Sequence, residues 1–439
     1  MNSPDELRPA TARRNEWLLV TFTGTTNIAD AVTRVALPLL TVGITTSPIV
    51  VTAVASLMTL PWLLTALHIG VFVDRMDRRT LMMSAEIART ASVAVILLAY
   101  FADAVSLPLI YLVALVLGLA DVLAGVSGAA ILPNAIPKKR WQKVSERVTG
   151  LEYLANGFLG TPIGGFLTAA GFAVAFGVSG LVYAVGALLL LSLVGKFKVE
   201  PTTERKSVHA EIKDGLGFLF GNKLLRTMSL MITAMAACWG AWLALIPVYA
   251  VGGPLGLSAQ QYGLLLTWLG AGGVVGSLLV GWINRLLGRR WSMFVDIIGS
   301  FALVAAPAFL PAEPSSAYVI GAAAFVAGAG GVMWTANSRV ITQTFVPAEM
   351  MGRYSAAARV VAWGASPIAA FLSGVIAQFA GYRWAFGLFA ALCLAIVIPF
   401  FRVVTPEAVA AVDQPDEPED EAAEDQAADQ KDKPEEAKA

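Results

Sequence analysis

The chain has 439 residues, 57% hydrophobic and only 14% charged, with 31 basic and 31 acidic residues and a mean hydropathy of +0.69. A soluble domain carries about a quarter charged residues, so a soluble globular protein is excluded and most side chains face lipid or other helices. The two cysteines, Cys238 and Cys393, both lie in apolar runs, which excludes a disulfide framework and a cysteine zinc site.

Residues 1–16 are polar, and the apolar run behind them is too long for the hydrophobic core of a signal peptide. It is expected to stay as a first membrane span. A helix needs roughly 20 apolar residues to cross a bilayer. Twelve such runs can be drawn: 17–43, 48–71, 80–101, 108–131, 146–170, 173–195, 227–251, 259–283, 291–311, 315–338, 355–379 and 383–402. Turn signals at Thr45 to Pro48, Ser106 to Pro108, Ala312 to Pro314 and Ala380-Gly381 separate them. The expected fold class is an all-α membrane protein of 12 transmembrane helices.

The first run carries Asn27, Asp30 and Arg34 at i, i+3 and i+7, which places them on one helix face. Charged groups inside a span usually face a cavity and mark a proton or substrate path. Asp30 therefore reads as a proton carrier with Arg34 as its i+4 partner. The competing reading is a permanent Asp30–Arg34 ion pair that holds the helix in its bundle.

Behind the second run comes Gly70 to Arg79, GVFVDRMDRR, and behind the eighth comes a degraded copy, Gly281 to Arg290, GWINRLLGRR. One charged hairpin used twice indicates duplication. Gly70 permits close helix approach, Asp74 is placed to face a helix N-terminus near Gly352-Arg353-Tyr354, and Arg75, Arg78 and Arg79 serve as latch and positive anchor together. In the copy, Gly281, Arg289 and Arg290 persist, but Arg285 replaces the acid.

Further along, Glu86 and Arg89 at i, i+3 read as a local pair in the third run. Asp121, mid-way through the fourth, is a candidate second protonation site. Glu152 sits at a helix end, and Asp296, early in its run, is placed to complement a helix dipole. A second repeat, Pro162-Ile-Gly-Gly-Phe-Leu-Thr-Ala and Pro367-Ile-Ala-Ala-Phe-Leu-Ser-Gly, relates the fifth and eleventh runs. Equivalent motifs in the same orientation imply two parallel six-helix repeats.

Six tryptophans fall inside runs: Trp62, Trp239, Trp242, Trp268, Trp334 and Trp363. They read either as helix packing or as an aromatic lining for large apolar or cationic ligands. Asn27, Asn156 and Asn337 are the candidate hydrogen-bonding groups of that cavity.

Lys and Arg cluster in alternate loops, and cytoplasmic loops carry the positive excess. Both termini are therefore expected inside the cell membrane. The expected division is a cytoplasmic segment 1–16, a bundle 17–195, a linker 196–226 with a surface amphipathic helix over 211–221, a bundle 227–404 and a tail 405–439. The tail holds 13 acids and 3 lysines with few large apolar side chains, so it is expected to be disordered.

The hairpin Gly70, Asp74, Arg75, Arg78, Arg79 resembles the loop motif of the major facilitator superfamily. Asn27-x-x-Asp30 with Ala36-Leu37-Pro38-Leu39-Leu40, Leu60-Pro61-Trp62, Val73-Asp74-Arg75-x-Asp77-Arg78-Arg79 and Val346-Pro347-Ala348-Glu349-x-x-Gly352-Arg353 resemble its drug- and siderophore-efflux branch, which includes macrolide and enterobactin exporters. The resemblance spans residues 15–403. It implies the two-bundle fold, alternating access, a latch at Asp74 that shuts the cytoplasmic side, and proton-coupled export of amphipathic small molecules. The chain departs from the pattern in three places. Asp77 stands where the superfamily usually has Gly, the fourth run has no Arg, and the fifth-helix antiporter pattern survives only as Gly160-Thr161-Pro162-Ile163-Gly164-Gly165.

The alternatives on this scaffold are an importer or facilitator of a small metabolite and a non-transporting sensor or scaffold. No phosphate-binding loop, metal-ligand cluster or nucleophilic triad is present in the sequence, so an enzyme or an ATP-driven pump is not expected. The expected partners are protons, substrate and lipid. No cofactor, metal or nucleic acid is expected, and the chain is expected to act as a monomer.

Overall fold

The computed structural model describes residues 9–73, 75–195, 197, 208–347 and 350–407. The Asp74 latch, Ala348-Glu349 and the bulk of the acidic tail lie outside the described residues.

Every regular element among the described residues is helical: α1 (Pro9–Val42), α2 (Pro48–Val73), α3 (Arg78–Phe101), α4 (Leu107–Ala135), α5 (Trp141–Tyr153), α6 (Gly160–Ala170), α7 (Phe172–Leu191), α8 (Val208–Gly221), α9 (Lys223–Ala250), α10 (Ala259–Phe309), α11 (Ser316–Phe345), α12 (Met351–Ala380) and α13 (Tyr382–Val403). Among the described residues, nine helices are long and apolar enough to cross a membrane. One of them, α10, carries two of the expected runs. The first run lies in α1 and the fifth in the stretch Trp141 to Ala170, which a π-helical segment, Leu154–Leu159, divides between α5 and α6.

Local chemistry sets the ends of several helices. Asp77 caps α3 by accepting from the Thr80 amide at 3.0 Å. Asn222 does the same for α9 through the Leu224 and Leu225 amides. Ser258 and Gln261 form a reciprocal capping box at the start of α10.

The second charged hairpin departs from the expectation. The chain does not leave the helix for a loop; it turns at one residue, Gly288, with φ 81° and ψ 158°. That backbone is open to glycine and costly for other residues. In the first half Asp77 holds the corresponding place with φ −67°, so there the turn is made over several residues.

Helices α1, α2, α3, α4, α6 and α7 pack on one another, as do α9 to α13. The two sets meet through α2 against α9 and α12, α1 against α9, and α6 against α10. These contacts gather at the end away from the arginine-rich loops. Ser47 Oγ donates to Gln378 Oε1 and Ser56 Oγ to the Pro367 carbonyl, both at 2.8 Å. Gly165 and Gly263 touch backbone to backbone.

Helix α8 is not simply laid on a membrane surface. Leu219 is buried with Leu225, Val346 and Tyr354, Phe218 meets Tyr354 edge-on, and Gly215 lies against the Arg353 carbonyl. The linker helix is thus seated on the start of α12.

Candidate functional site

Five ionisable side chains from three helices converge inside the first half. Glu86 and Arg89 from α3 and Asp30 from α1 are buried at 0%, 2% and 7% exposure. Asp121 of α4 and Arg34 of α1 complete the set.

Arg89 is the hub. Its Nη1 pairs with Glu86 Oε1 at 2.6 Å, and its Nη2 reaches both Asp30 Oδ2 and Asp121 Oδ1 at 3.1 Å. The guanidinium also lies 5.5 Å from the centre of the Tyr183 ring. Tyr183, from α7, donates its hydroxyl to Asp30 Oδ1 at 2.8 Å. Asp121 Oδ2 accepts from Trp62 Nε1 at 2.6 Å and pairs with Arg34 at 3.3 Å. Arg34 extends the chain to Asn156 Oδ1 at 3.4 Å, and Asn156 Nδ2 donates to Asn27 Oδ1. Forked donation to several carboxylates at once is something a guanidinium does and an ammonium does not.

The π segment places Asn156. Such single-turn widenings occur frequently at functional sites. Here Pro162, just beyond, brings no amide hydrogen, which relaxes the local ladder. Gly160 fits only without a side chain, since a Cβ would lie 2.4 Å from Ala31 Cβ.

The expected i, i+4 pairing of Asp30 with Arg34 gives way to a different one: Asp30 pairs with Arg89 and Arg34 with Asp121. Arg34 lies off the buried side of α1, which faces α3 and α7, and its part-exposed guanidinium meets the acid that α4 offers. Glu86 and Arg89 do form their local pair, but Arg89 also reaches two further helices. Sequence reasoning left Tyr183 out altogether. A tyrosine in an apolar run carries no pattern that separates a donor from packing.

The second half has a plainer counterpart. The interval from Gly70 to Gly281 carries Arg89 onto Ser300. The interval between the intrahelical prolines Pro38 and Pro247 carries Asp30 onto Trp239. The interval from Gly118 to Gly328, glycines that each lie against a carbonyl of the neighbouring helix, carries Asp121 onto Gly331. The ion pair is replaced by Trp239 Nε1 donating to Ser300 Oγ at 2.9 Å. Ser300 Oγ in turn donates to Asp296 Oδ1 at 3.3 Å. Asp296 is buried against Gly330 on α11, two turns beyond the Gly288 bend. It is therefore not a helix-dipole group.

The remaining candidates divide. Asn27, Trp62 and Asn156 join the network. Trp242 is wholly buried in the second core, Trp334 packs against Phe400, and Asn337 is fully buried with bonds to Asn284, Ser292 and the Met333 carbonyl. All three side chains are buried in this conformation. Trp268 stacks edge-on with Phe325 and Trp363 is 57% exposed. Of the gating residues, Arg78 binds the Ala130 carbonyl and Asn134 at the end of α4. Arg79 binds the Leu191 and Leu193 carbonyls at the end of α7, where a helix C-terminus favours a cation. Arg75 is exposed. In the second copy, Arg289 reaches Asn337 at 3.4 Å and Arg290 lies 5.0 Å from the Phe401 ring centre. Gly70 and Gly281 have open space where a Cβ would sit. Among the described residues no group of His, Cys, Asp and Glu is arranged to hold a metal ion.

Residues 12–432 match the family of transmembrane secretion effectors. The multidrug efflux pump Tap of Mycolicibacterium fortuitum is 26% identical over 388 residues, covering 85% of this chain and 92% of that protein. A chloramphenicol resistance protein of Streptomyces lividans is 31% identical over 195 residues, 43% of this chain and 47% of its own length. Among solved structures, the nucleoside transporter NupG aligns with a TM-score of 0.66 at 11% identity, covering 88% of this chain and 99% of that one. A bacterial homologue of the iron transporter ferroportin in its inward-facing state gives 0.66 at 14% identity, covering 89% and 98%. Those two likenesses establish the fold. The chain belongs to the transmembrane secretion effector family of the major facilitator superfamily: it is a multi-pass membrane transporter, not an enzyme, distantly related to drug efflux pumps.

Proposed function

We propose that this transporter exports amphipathic small molecules by alternating access, driven by protons, with both termini in the cytoplasm. The substrate class follows the Tap and chloramphenicol-resistance relatives, and drugs, macrolides and siderophores are its first candidates. The bundles 17–195 and 227–404 rock about their shared contacts. Gly70, Asp74, Arg75, Arg78 and Arg79 gate the arginine-rich side, with Gly281, Arg289 and Arg290 in the weaker copy.

The observation that carries proton coupling is the buried network of Asp30, Glu86, Arg89, Asp121 and Arg34. Ion pairs taken out of water are poor sources of stability, and ionisable groups at membrane depth are associated with proton and substrate paths. The network also touches the face where Asn27, Trp62 and Asn156 meet, so a change of protonation there alters the groups a substrate meets.

Energised everted membrane vesicles offered a panel of dyes, macrolides and siderophores from the outside, with and without a protonophore, test this reading by uptake into the lumen. It requires movement of at least one panel member that collapses with the protonophore. Movement that ignores the protonophore refutes the coupling.

A further inference from the structure

The network holds three carboxylates and two guanidiniums. A guanidinium stays charged in a protein, so with every carboxylate ionised the cluster keeps one uncompensated negative charge in the middle of the bundle. An unpaired buried charge is costly, and such groups neutralise instead. One proton closes the balance.

The six carboxylate oxygens are not equivalent. Asp30 has both oxygens occupied, Oδ1 by Tyr183 and Oδ2 by Arg89. Asp121 has both occupied as well, Oδ1 by Arg89 and Oδ2 by Trp62 and Arg34. Glu86 accepts from Arg89 only through Oε1. Its Oε2 is buried without a hydrogen-bond partner and faces the space over Gly186, beside the Thr26 methyl and the Phe22 ring. A bare carboxylate oxygen in that apolar corner has no donor; a carboxylic O–H there costs far less.

The charged and titratable groups around Glu86 are Asp30 and Arg34 from α1, Arg89 on its own helix, Asp121 from α4 and Tyr183 from α7. Glu152 of α5 makes no ion pair with this cluster among the described residues.

We propose that Glu86 is the residue that holds and releases the coupling proton; this rests on the proton-driven reading above. In the release step the Glu86 O–H bond breaks, the proton passes to a water molecule admitted as the helices part, and the carboxylate left behind keeps Arg89 on Oε1. Uptake from the opposite side reverses the step. Asp30 and Asp121 stay ionised and hold Arg89 and Arg34 in place, as positioning residues.

Infrared difference spectroscopy of the full-length protein in lipid vesicles, stepped from mildly acidic to alkaline buffer, tests this with the proton itself as the probe. A D296N background removes Asp296, a buried acid of the second half that makes no ion pair among the described residues. The expected result is a carbonyl band of a protonated carboxyl that vanishes on alkalinisation in the parent and is absent after Glu86→Gln. The same band in the parent shifts when glutamate is supplied as the ¹³C form, a measurement that needs no variant at Glu86. A band that persists in Glu86→Gln, or that ignores labelled glutamate, overturns the assignment. Uptake of the panel above into energised everted vesicles, which reports export activity, separates the two ideas. If parent efflux ignores the protonophore, the coupled reading falls and Glu86 loses its transport role with it. If parent efflux is coupled and Glu86→Gln stays equally coupled, only the assignment to Glu86 falls.

Discussion

Arg89 reaches Asp30 across 3.1 Å between α3 and α1, and at the corresponding place in the second half Trp239 donates to Ser300 at 2.9 Å. The repeat kept the helix contact and discarded its charge. The acid of the charged hairpin was lost in the same direction, from Asp74 to Arg285. Charge chemistry is concentrated in the first half, and the second half presents aromatic and hydroxyl groups at the matching depth. The buried ion pairs described above lie in the first half, while the second half carries Trp239, Ser300 and the acid Asp296 at the matching depth.

Arg89 should be the most sensitive single position for stability. Removing one partner of a buried pair costs about 3–5 kcal/mol, because the remaining charges are left uncompensated. Arg89→Ala strands the buried carboxylate of Asp30 and should fall in this range. Arg89→Lys keeps the charge but cannot fork to three carboxylates, so it should lie between the parent and Arg89→Ala. Heat-induced unfolding of the detergent-solubilised protein reads the order. A parent-like midpoint for Arg89→Ala would show that the network is not held as described.

Much of this was legible in the chain. The twelve runs are helical, and Asp30, Arg34 and Asp121 do meet in one network, because a charged residue amid apolar neighbours stands out. Their pairing was not legible. Spacing on a single helix makes Asp30–Arg34 the nearest choice, but Arg89 enters from another helix, and only packing decides which acid it meets. The bend at Gly288 was hidden for a related reason. A single residue turns the chain, and the polar stretch around it looks like a loop. Trp242, Trp334 and Asn337 show the limit of composition: a tryptophan in a span has the same sequence appearance whether it lines a cavity or fills a core.

Asp296→Asn is expected to be tolerated. The acid accepts a hydrogen bond from Ser300, which an amide oxygen also accepts, and it makes no ion pair among the described residues. Replacing it removes a buried ionisable group and leaves the shape. The change should cost no more than about 1 kcal/mol, the centre of the range for point substitutions, because the Ser300 hydrogen bond is kept. A loss of about 2 kcal/mol or more in chemical denaturation would mean that the carboxylate has a cationic partner.

Trp62→Phe isolates a single hydrogen bond. The ring is kept, but the Nε1 donor 2.6 Å from Asp121 Oδ2 is lost. Hydrogen bonds to charged groups contribute about 1.5–3 kcal/mol, and Arg34, part-exposed at the edge of the network, compensates only in part. Trp62→Phe should therefore destabilise the parent by that order and have little effect once Asp121→Ala, which removes the acceptor, is already present. A double-mutant cycle on unfolding free energies measures the coupling, and simple additivity would place Trp62 outside the network.

The contact between Gly165 on α6 and Gly263 on α10 joins the two halves at the end away from the arginine-rich loops. A Cβ on Gly165 would stand 2.5 Å from Gly263 Cα, well inside contact distance and against backbone that has no rotamer to yield. Gly165→Ala should leave each half folded, since it disturbs only the surface between them, but should disfavour the closed arrangement seen here. The population then shifts toward the conformation open at that end. Pairs of spin labels in loops 43–47 and 251–258 should report a longer mean distance in Gly165→Ala than in the parent, with thermal unfolding nearly unchanged. An unaltered distance distribution would show that α6 and α10 do not set the closure.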